Sequence, residues 1–209
     1  MLELGSSDRT RKKSPCGRFF DRMGYMKNEI IEKVKTHFLE TFEKKKNPIY
    51  SYLPRHVAEA ERWAKKILQK YPKADEKVVL LSVWLHDIGQ AIGDDNDDHA
   101  VKSEAEAKRF LRAIGMVPEK IEKVAHCVRA HRCKDIQPES LEAKILAAAD
   151  SVSHMTDFCY IDMASKYSKD FVLAKLKRDY RDIGLLPELQ KEITSLYEAW
   201  KKLLSVYPN

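Results

Sequence analysis

The 209-residue sequence has little of what turn-rich folds, disulfide frameworks and membrane proteins need. Only seven glycines and eight prolines occur, which argues against many short strands joined by tight turns. The four cysteines show no C-x-x-C spacing, and there is neither a run of eighteen apolar residues nor a secretory leader. We therefore expect an all-α, cytoplasmic protein with reduced thiols and no membrane partner.

The composition is that of a soluble globular protein, with 44% hydrophobic and 33% charged residues. Lys and Arg number 38 against 32 Asp and Glu, and the resulting charge of +6 suits anionic ligands such as phosphates or nucleic acid. The first 24 residues are polar and basic and lack a helical apolar period, so we expect a flexible tail there. Residues 25–209 are expected to form a single helical domain, in which the first amphipathic helix starts near Lys27.

The stretch Val78–Gly89 is apolar except for two adjacent polar residues at its end, His86 and Asp87. A helix that is hydrophobic on nearly every face belongs in a core, where a buried imidazole and carboxylate need compensation. Gly89 is placed as a C-cap glycine, so the pair would lie in the last helical turn, where carbonyl groups favour a cation. A divalent cation would compensate both side chains, although hydrogen bonds to each other or to the backbone would also satisfy them.

Two further polar residues fall on apolar faces elsewhere in the chain. His56 shares a helical stripe with Trp63 and Ile67, which directs it inward as a metal ligand or as a hydrogen-bonded core histidine. Asp150 interrupts the small and apolar run Leu141–Val152. It would either cap a helix restarting one residue later or face a metal or buried base.

Two more histidines are candidates for the same region. His99 follows a loop rich in Asp and Asn, where it either contributes to a site or simply follows a helix cap. His131 lies at the margin of the apolar face of a helix that Pro118 opens, whereas His126 falls on roughly the opposite side. The spacing of the cysteines on either side of His131 is not that of a usual structural zinc site.

The order H…HD…D of these residues resembles the HD superfamily of metal-dependent phosphohydrolases over residues 50–158. The matching positions are His56, His86, Asp87 and Asp150. The resemblance implies a helical bundle in which these four side chains hold a divalent metal, Mn²⁺, Fe²⁺, Co²⁺, Ni²⁺ or Mg²⁺, for hydrolysis of a phosphoester or phosphoanhydride. It also implies that His99 and His131 are second-metal ligands, phosphate contacts or a leaving-group acid.

The residues directly after the HD pair narrow the subfamily. Ile88, Gly89 and Gln90 stand where alarmone hydrolases carry a Glu-Asp pair, and the G-Y-P motif of cyclic-dinucleotide hydrolases is absent. The chain is therefore most similar to small stand-alone HD hydrolases, which implies a nucleotide or another small phosphorylated metabolite as substrate. The alternatives are a di-iron oxygenase on the same scaffold and a non-catalytic nucleic-acid-binding protein, although no nucleic-acid motif is present.

Overall fold

The computed structural model describes residues 15–45, 50–93 and 98–206, with side chains from residue 29 onward. The helices are α1 (Pro15–Lys45), α2 (Leu53–Leu68), α3 (Glu76–Leu85), α4 (Ile88–Ile92), α5 (His99–Ala113), α6 (Pro118–Ala130), α7 (Leu141–Thr156), α8 (Cys159–Lys166), α9 (Lys169–Ile183) and α10 (Pro187–Val206). No strand occurs in these ranges, so the expected all-α class is confirmed. None of the helices in the described ranges has both the length and the apolar run that a bilayer crossing requires.

Helices α3 and α7 form the centre of the bundle. Every residue from Val78 to Leu85 is buried, and so is every residue of α7 from Ile145 to Ser153. Alanines make up the middle of α7, and their small side chains let the neighbouring helices approach closely. Helix α7 contacts α2, α3, α6 and α9. The carboxylate of Asp150, in the middle of α7, is therefore surrounded by other helices.

Several helix boundaries agree with the signals in the sequence. Gly115 has a φ of 78° just beyond α5, the left-handed conformation expected of a glycine after a helix C-terminus. Pro118 and Pro187 open α6 and α10, as expected of a residue with a fixed φ and no N–H. The predicted start of the first helix near Lys27 is wrong, because α1 already begins at Pro15, within the segment expected to be a flexible tail. Residues 1–14 lie outside the described residues.

The expected C-cap role of Gly89 is also wrong. Helix α3 ends at Leu85, His86 is its C-cap, and Asp87 precedes the short helix α4, which contains Gly89. This glycine instead allows a close approach between helices. A Cβ atom there would lie 2.3 Å from the carbonyl oxygen of His99, and the Gly89 N–H donates to the Ser103 hydroxyl at 2.8 Å. The glycine thereby sets how near the start of α5, and with it His99, lies to the HD pair.

We expect Gly89→Ala to lower the free energy of unfolding by about 1–3 kcal/mol, because the new methyl group overlaps backbone that cannot move freely. Gly93→Ala is the matched control, since its Cβ would meet only the flexible side chain of Lys102. The control should change stability by less than about 0.5 kcal/mol. Urea denaturation measures both values, and equal stability of the two variants would contradict this role of Gly89.

Candidate metal centre

The end of α3 orients His86 through its own backbone. The imidazole is fully buried, and its Nδ1 lies 2.7 Å from the carbonyl oxygen of Val83. A carbonyl oxygen only accepts, so Nδ1 carries a proton and a neutral ring has its lone pair on Nε2. That Nε2 atom is buried and has no hydrogen-bond partner. An unpartnered buried nitrogen lone pair is costly in a protein interior unless a cation or a donor takes it.

His131 repeats this construction at the end of α6. It is the C-cap residue, it is 3% exposed, and its Nδ1 lies 2.6 Å from the carbonyl oxygen of Val128. Burial lowers the pKa of His131 to about 3, so the ring is neutral at physiological pH. Its Nε2 atom faces the Nε2 of His99 at 3.3 Å. His99 is the more accessible of the two rings, with 26% of its side chain exposed.

His56 is held in place from α7 and the residue that follows it. Its Nδ1 lies 3.2 Å from Asp157 Oδ2, and its Nε2 lies 3.0 Å from Asp150 Oδ1. Burial alone would lower the pKa of His56, but the two carboxylates outweigh it and raise the pKa to about 10. Both ring nitrogens thus face carboxylates. With a cation beside Asp150, Nε2 would serve as a ligand while Asp157 holds Nδ1, an arrangement common among metal-binding histidines.

Asp150 lies in the middle of the continuous helix α7, so the interpretation that it caps a helix restarting at Ser151 is wrong. Its side chain is 12% exposed, and its Oδ1 is 3.5 Å from the His86 Nε2. Burial would raise the pKa of this carboxyl group, but the neighbouring histidines hold it well below its usual range. The group is therefore a carboxylate at neutral pH.

Asp87 joins two sets of histidines. Its Oδ2 lies 3.6 Å from the His86 Nε2 and 3.8 Å from the His56 Nε2. Its Oδ1 lies 3.2 Å from the His99 Nε2 and 3.7 Å from the His131 Nε2. The surrounding imidazoles outweigh the effect of burial and hold the pKa of Asp87 well below its usual range.

Three groups of side chains place ligand atoms within 4.8 Å of one another in the described residues. They are His56, His86 and Asp87; Asp87, His99 and His131; and His56, Asp150 and His154. No cysteine belongs to any of these groups, so the described residues contain no zinc-thiolate cluster. Imidazole and carboxylate donors fit a divalent cation, and the unpartnered His86 Nε2 supplies a lone pair for one.

The HD domain family model matches residues 55–155, the stretch that contains these three groups. Residues 55–155 form an HD domain. No curated protein and no solved structure matches the chain significantly. The family match and the helical fold agree with the resemblance seen in the sequence, and HD domains as a family bind divalent metals.

The HD domain brings all six sequence-predicted site residues together, although they come from α2, the α3–α4 junction, α5, the end of α6 and α7. His126 is directed elsewhere, because its Nε2 accepts from the backbone N–H of Glu139 at 3.3 Å. Tautomers and roles inside the cluster had no signal in the sequence, since they depend on backbone carbonyls three residues back along two helix ends.

Sequence reasoning missed His154 and Asp157. Asp150 and His154 are four residues apart on one helix, a spacing that places both on the same face and that was available as a signal. Asp157 follows the end of α7, and nothing in its sequence context distinguishes it from a surface acid. Lys175 on α9 also went unnoticed, and its ammonium group pairs with the buried Asp179 at 2.7 Å.

Asp157→Ala should weaken Mn²⁺ binding about 10- to 100-fold, because His56 loses the carboxylate that fixes its ring and its tautomer. Asp162→Ala is the matched control, since that aspartate pairs only with Lys166 on the exposed side of α8. Isothermal titration calorimetry with Mn²⁺ measures both affinities, and circular dichroism verifies that both variants fold. Equal affinity of the two variants would show that Asp157 does not orient a ligand.

Proposed function

We propose that this protein is a metal-dependent phosphohydrolase that uses two divalent cations. One cation is held by His56, His86, Asp87 and Asp150. The other is held by Asp87, His99 and His131. The substrate is a small phosphorylated metabolite, with a nucleotide as the first choice, and the reaction is hydrolysis of a phosphoester or phosphoanhydride bond. The compartment is the cytoplasm.

One observation carries the proposal: the two oxygens of Asp87 face two different sets of imidazole nitrogens. A carboxylate is the side chain best suited to be shared by two cations, because each of its oxygens carries a lone pair that can reach a different ion. Two-metal hydrolytic sites on phosphate substrates place their cations close enough for such sharing. The match of residues 55–155 to the HD domain supports the same reaction class.

The ligand set favours Mn²⁺, Fe²⁺, Co²⁺ or Ni²⁺, with Mg²⁺ also acceptable, over a closed tetrahedral zinc site. When bound, divalent cations supply a Lewis acid for the phosphoryl oxygens and a source of hydroxide near neutral pH. The protein residues prepare this chemistry beforehand. Backbone carbonyls keep His86 and His131 in one tautomer, and burial keeps bulk water from the cluster.

The open side of the cluster lies at His99, the most exposed of the six predicted residues. Arg132 follows His131 directly, and its guanidinium group pairs with Asp98 Oδ1 at 2.8 Å, immediately before His99. A planar guanidinium group beside this opening can exchange the aspartate for a phosphate, which it binds with two parallel hydrogen bonds. We therefore assign Arg132 to substrate binding in the proposed reaction.

Asp87→Ala should lower metal-dependent phosphate release by at least about 100-fold, because it removes a ligand from both cations and not merely an outer partner of one. His126→Ala is the control, since His126 bonds only the Glu139 backbone among the contacts shown and lies on the far face of α6. Phosphate release is measured from a panel of nucleotides and phosphomonoesters with Mn²⁺, Co²⁺ or Mg²⁺, alongside a chelated sample.

Full activity of Asp87→Ala, with helical content unchanged, would contradict the assignment of the site. If the wild-type protein binds metal but releases no phosphate from any compound of the panel, hydrolysis is contradicted, whereas the assignment of the metal site is not.

A di-iron oxygenase is the second candidate, and the same shared carboxylate favours it because such enzymes also hold a pair of metals. The distinguishing test loads the protein with Fe²⁺ anaerobically and then admits oxygen. A stable spectrum together with phosphate release supports the hydrolase, whereas rapid absorbance changes without phosphate release would favour oxidation.

A further inference from the structure

Helix α9 carries a partly buried ion pair, with its carboxylate in the interior, that a simple bundle wall would not need. The Lys175 ammonium group lies 2.7 Å from both carboxylate oxygens of Asp179, which is only 4% exposed. The hydroxyl group of Tyr160 donates to the same carboxylate at 2.5 Å. Buried charges of this kind are costly to desolvate, so their position against a particular neighbour calls for a reason beyond stability.

That neighbour is His154, on the face of α7 that also carries Asp150. The Lys175 ammonium nitrogen lies 3.0 Å from the His154 Nδ1. An ammonium group has three donors and no acceptor, and its three contacts here are the two Asp179 oxygens and this ring nitrogen. Nδ1 must therefore accept, and the proton of a neutral His154 is on Nε2.

The Asp179 Oδ2 atom is also 3.3 Å from the same Nδ1 and would favour the opposite tautomer. It is the weaker influence, because this oxygen already accepts from Tyr160 and from Lys175 over shorter distances. The lysine contact at 3.0 Å therefore decides where the proton is.

The protonated Nε2 atom of His154 faces Asp150 Oδ1 from 3.7 Å. This separation is longer than a hydrogen bond, so the interaction is that of an N–H dipole with a nearby negative charge. The opposite tautomer would present a lone pair to the carboxylate and repel it. The direction of this one N–H group thus influences how firmly Asp150 is held.

His154 does not replace His56 as a ligand. Their rings stack with centroids 4.7 Å apart and planes only 8° from parallel. Nitrogen lone pairs lie in the plane of an imidazole, so lone pairs of parallel stacked rings do not converge on one cation. The two Nε2 atoms therefore have different roles: that of His56 lies 3.0 Å from Asp150 Oδ1 within the proposed cation site, whereas that of His154 is protonated and faces the same oxygen from 3.7 Å.

We propose that His154 is a positioning residue for Asp150 and that the Lys175–Asp179 pair of α9 fixes its tautomer. The part that concerns metal affinity depends on the proposed function, in which Asp150 is a ligand. Helix α9 lies beyond residues 55–155, the extent of the family match, so a C-terminal helix of this chain completes the metal centre of its HD domain.

The tautomer is read directly by long-range ¹H–¹⁵N correlation spectroscopy of the full-length chain in a buffer with diamagnetic Mg²⁺. We expect His154 to show a protonated Nε2 and a bare Nδ1, with the signals assigned by their loss in His154→Gln. A proton on Nδ1, alone or together with one on Nε2, would overturn the inference whatever the protein binds.

Two substitutions of His154 distinguish the effect of its Nε2–H position from a general effect on packing. The amide nitrogen of glutamine reaches the place of a histidine Nε2, whereas that of asparagine reaches only the place of Nδ1. His154→Asn should therefore weaken Mn²⁺ binding about 10- to 100-fold, while His154→Gln should retain it within about threefold. Calorimetry measures the affinities, thermal melts compare the two folds, and His126→Asn serves as the control on α6.

The outcomes distinguish the two proposals. Absence of Mn²⁺ binding by the wild-type protein would overturn the proposed function, while the tautomer would still be decided by spectroscopy. Normal binding by the wild type with equal affinities for the Asn and Gln variants, whether high or low, would overturn only the role of His154.

Discussion

Two carboxylates, Asp87 and Asp150, lie inside an apolar helical bundle, and the arrangement around them is governed by the need to compensate their charge. Burial of an ionised carboxylate costs several kcal/mol, roughly, unless cations or hydrogen-bond donors surround it. Here imidazole rings from several helices supply those neighbours. A divalent cation would satisfy both carboxylates and the unpartnered His86 Nε2 together, which no single side chain could do.

The ends of the helices and their close contacts position these side chains. Helices α3 and α6 each end in a histidine whose Nδ1 bonds the carbonyl three residues earlier, so the other nitrogen of each ring faces the interior. Gly89 lets α5 approach the HD pair closely enough for His99 to reach Asp87. From the other side, Asp157 orients His56. The geometry of the cluster is therefore set by backbone positions and by surrounding side chains as much as by the clustered residues themselves.

Much of this arrangement was visible in the sequence because it depended on local pattern. Three anomalies are each apparent within a short stretch of sequence. They are an apolar helix that ends in His86 and Asp87, an inward-facing His56, and a carboxylate in an alanine-rich helix. The end of α3 was mispredicted because Gly89 serves a contact with α5 and not a cap, and the start of α1 because residues 15–24 lack the apolar period that marks a helix. The pairing of Lys175 with His154 joins residues on different helices, and the order of residues along the chain carries no signal for it.

The measurement that tests the shared role of Asp87 most directly is Mn²⁺ titration monitored by electron paramagnetic resonance. We predict that two Mn²⁺ ions bind per chain and that the loaded protein gives the spectrum of a magnetically coupled pair, because one carboxylate bridges them. A single uncoupled ion at saturation, or none, would contradict the two-cation site.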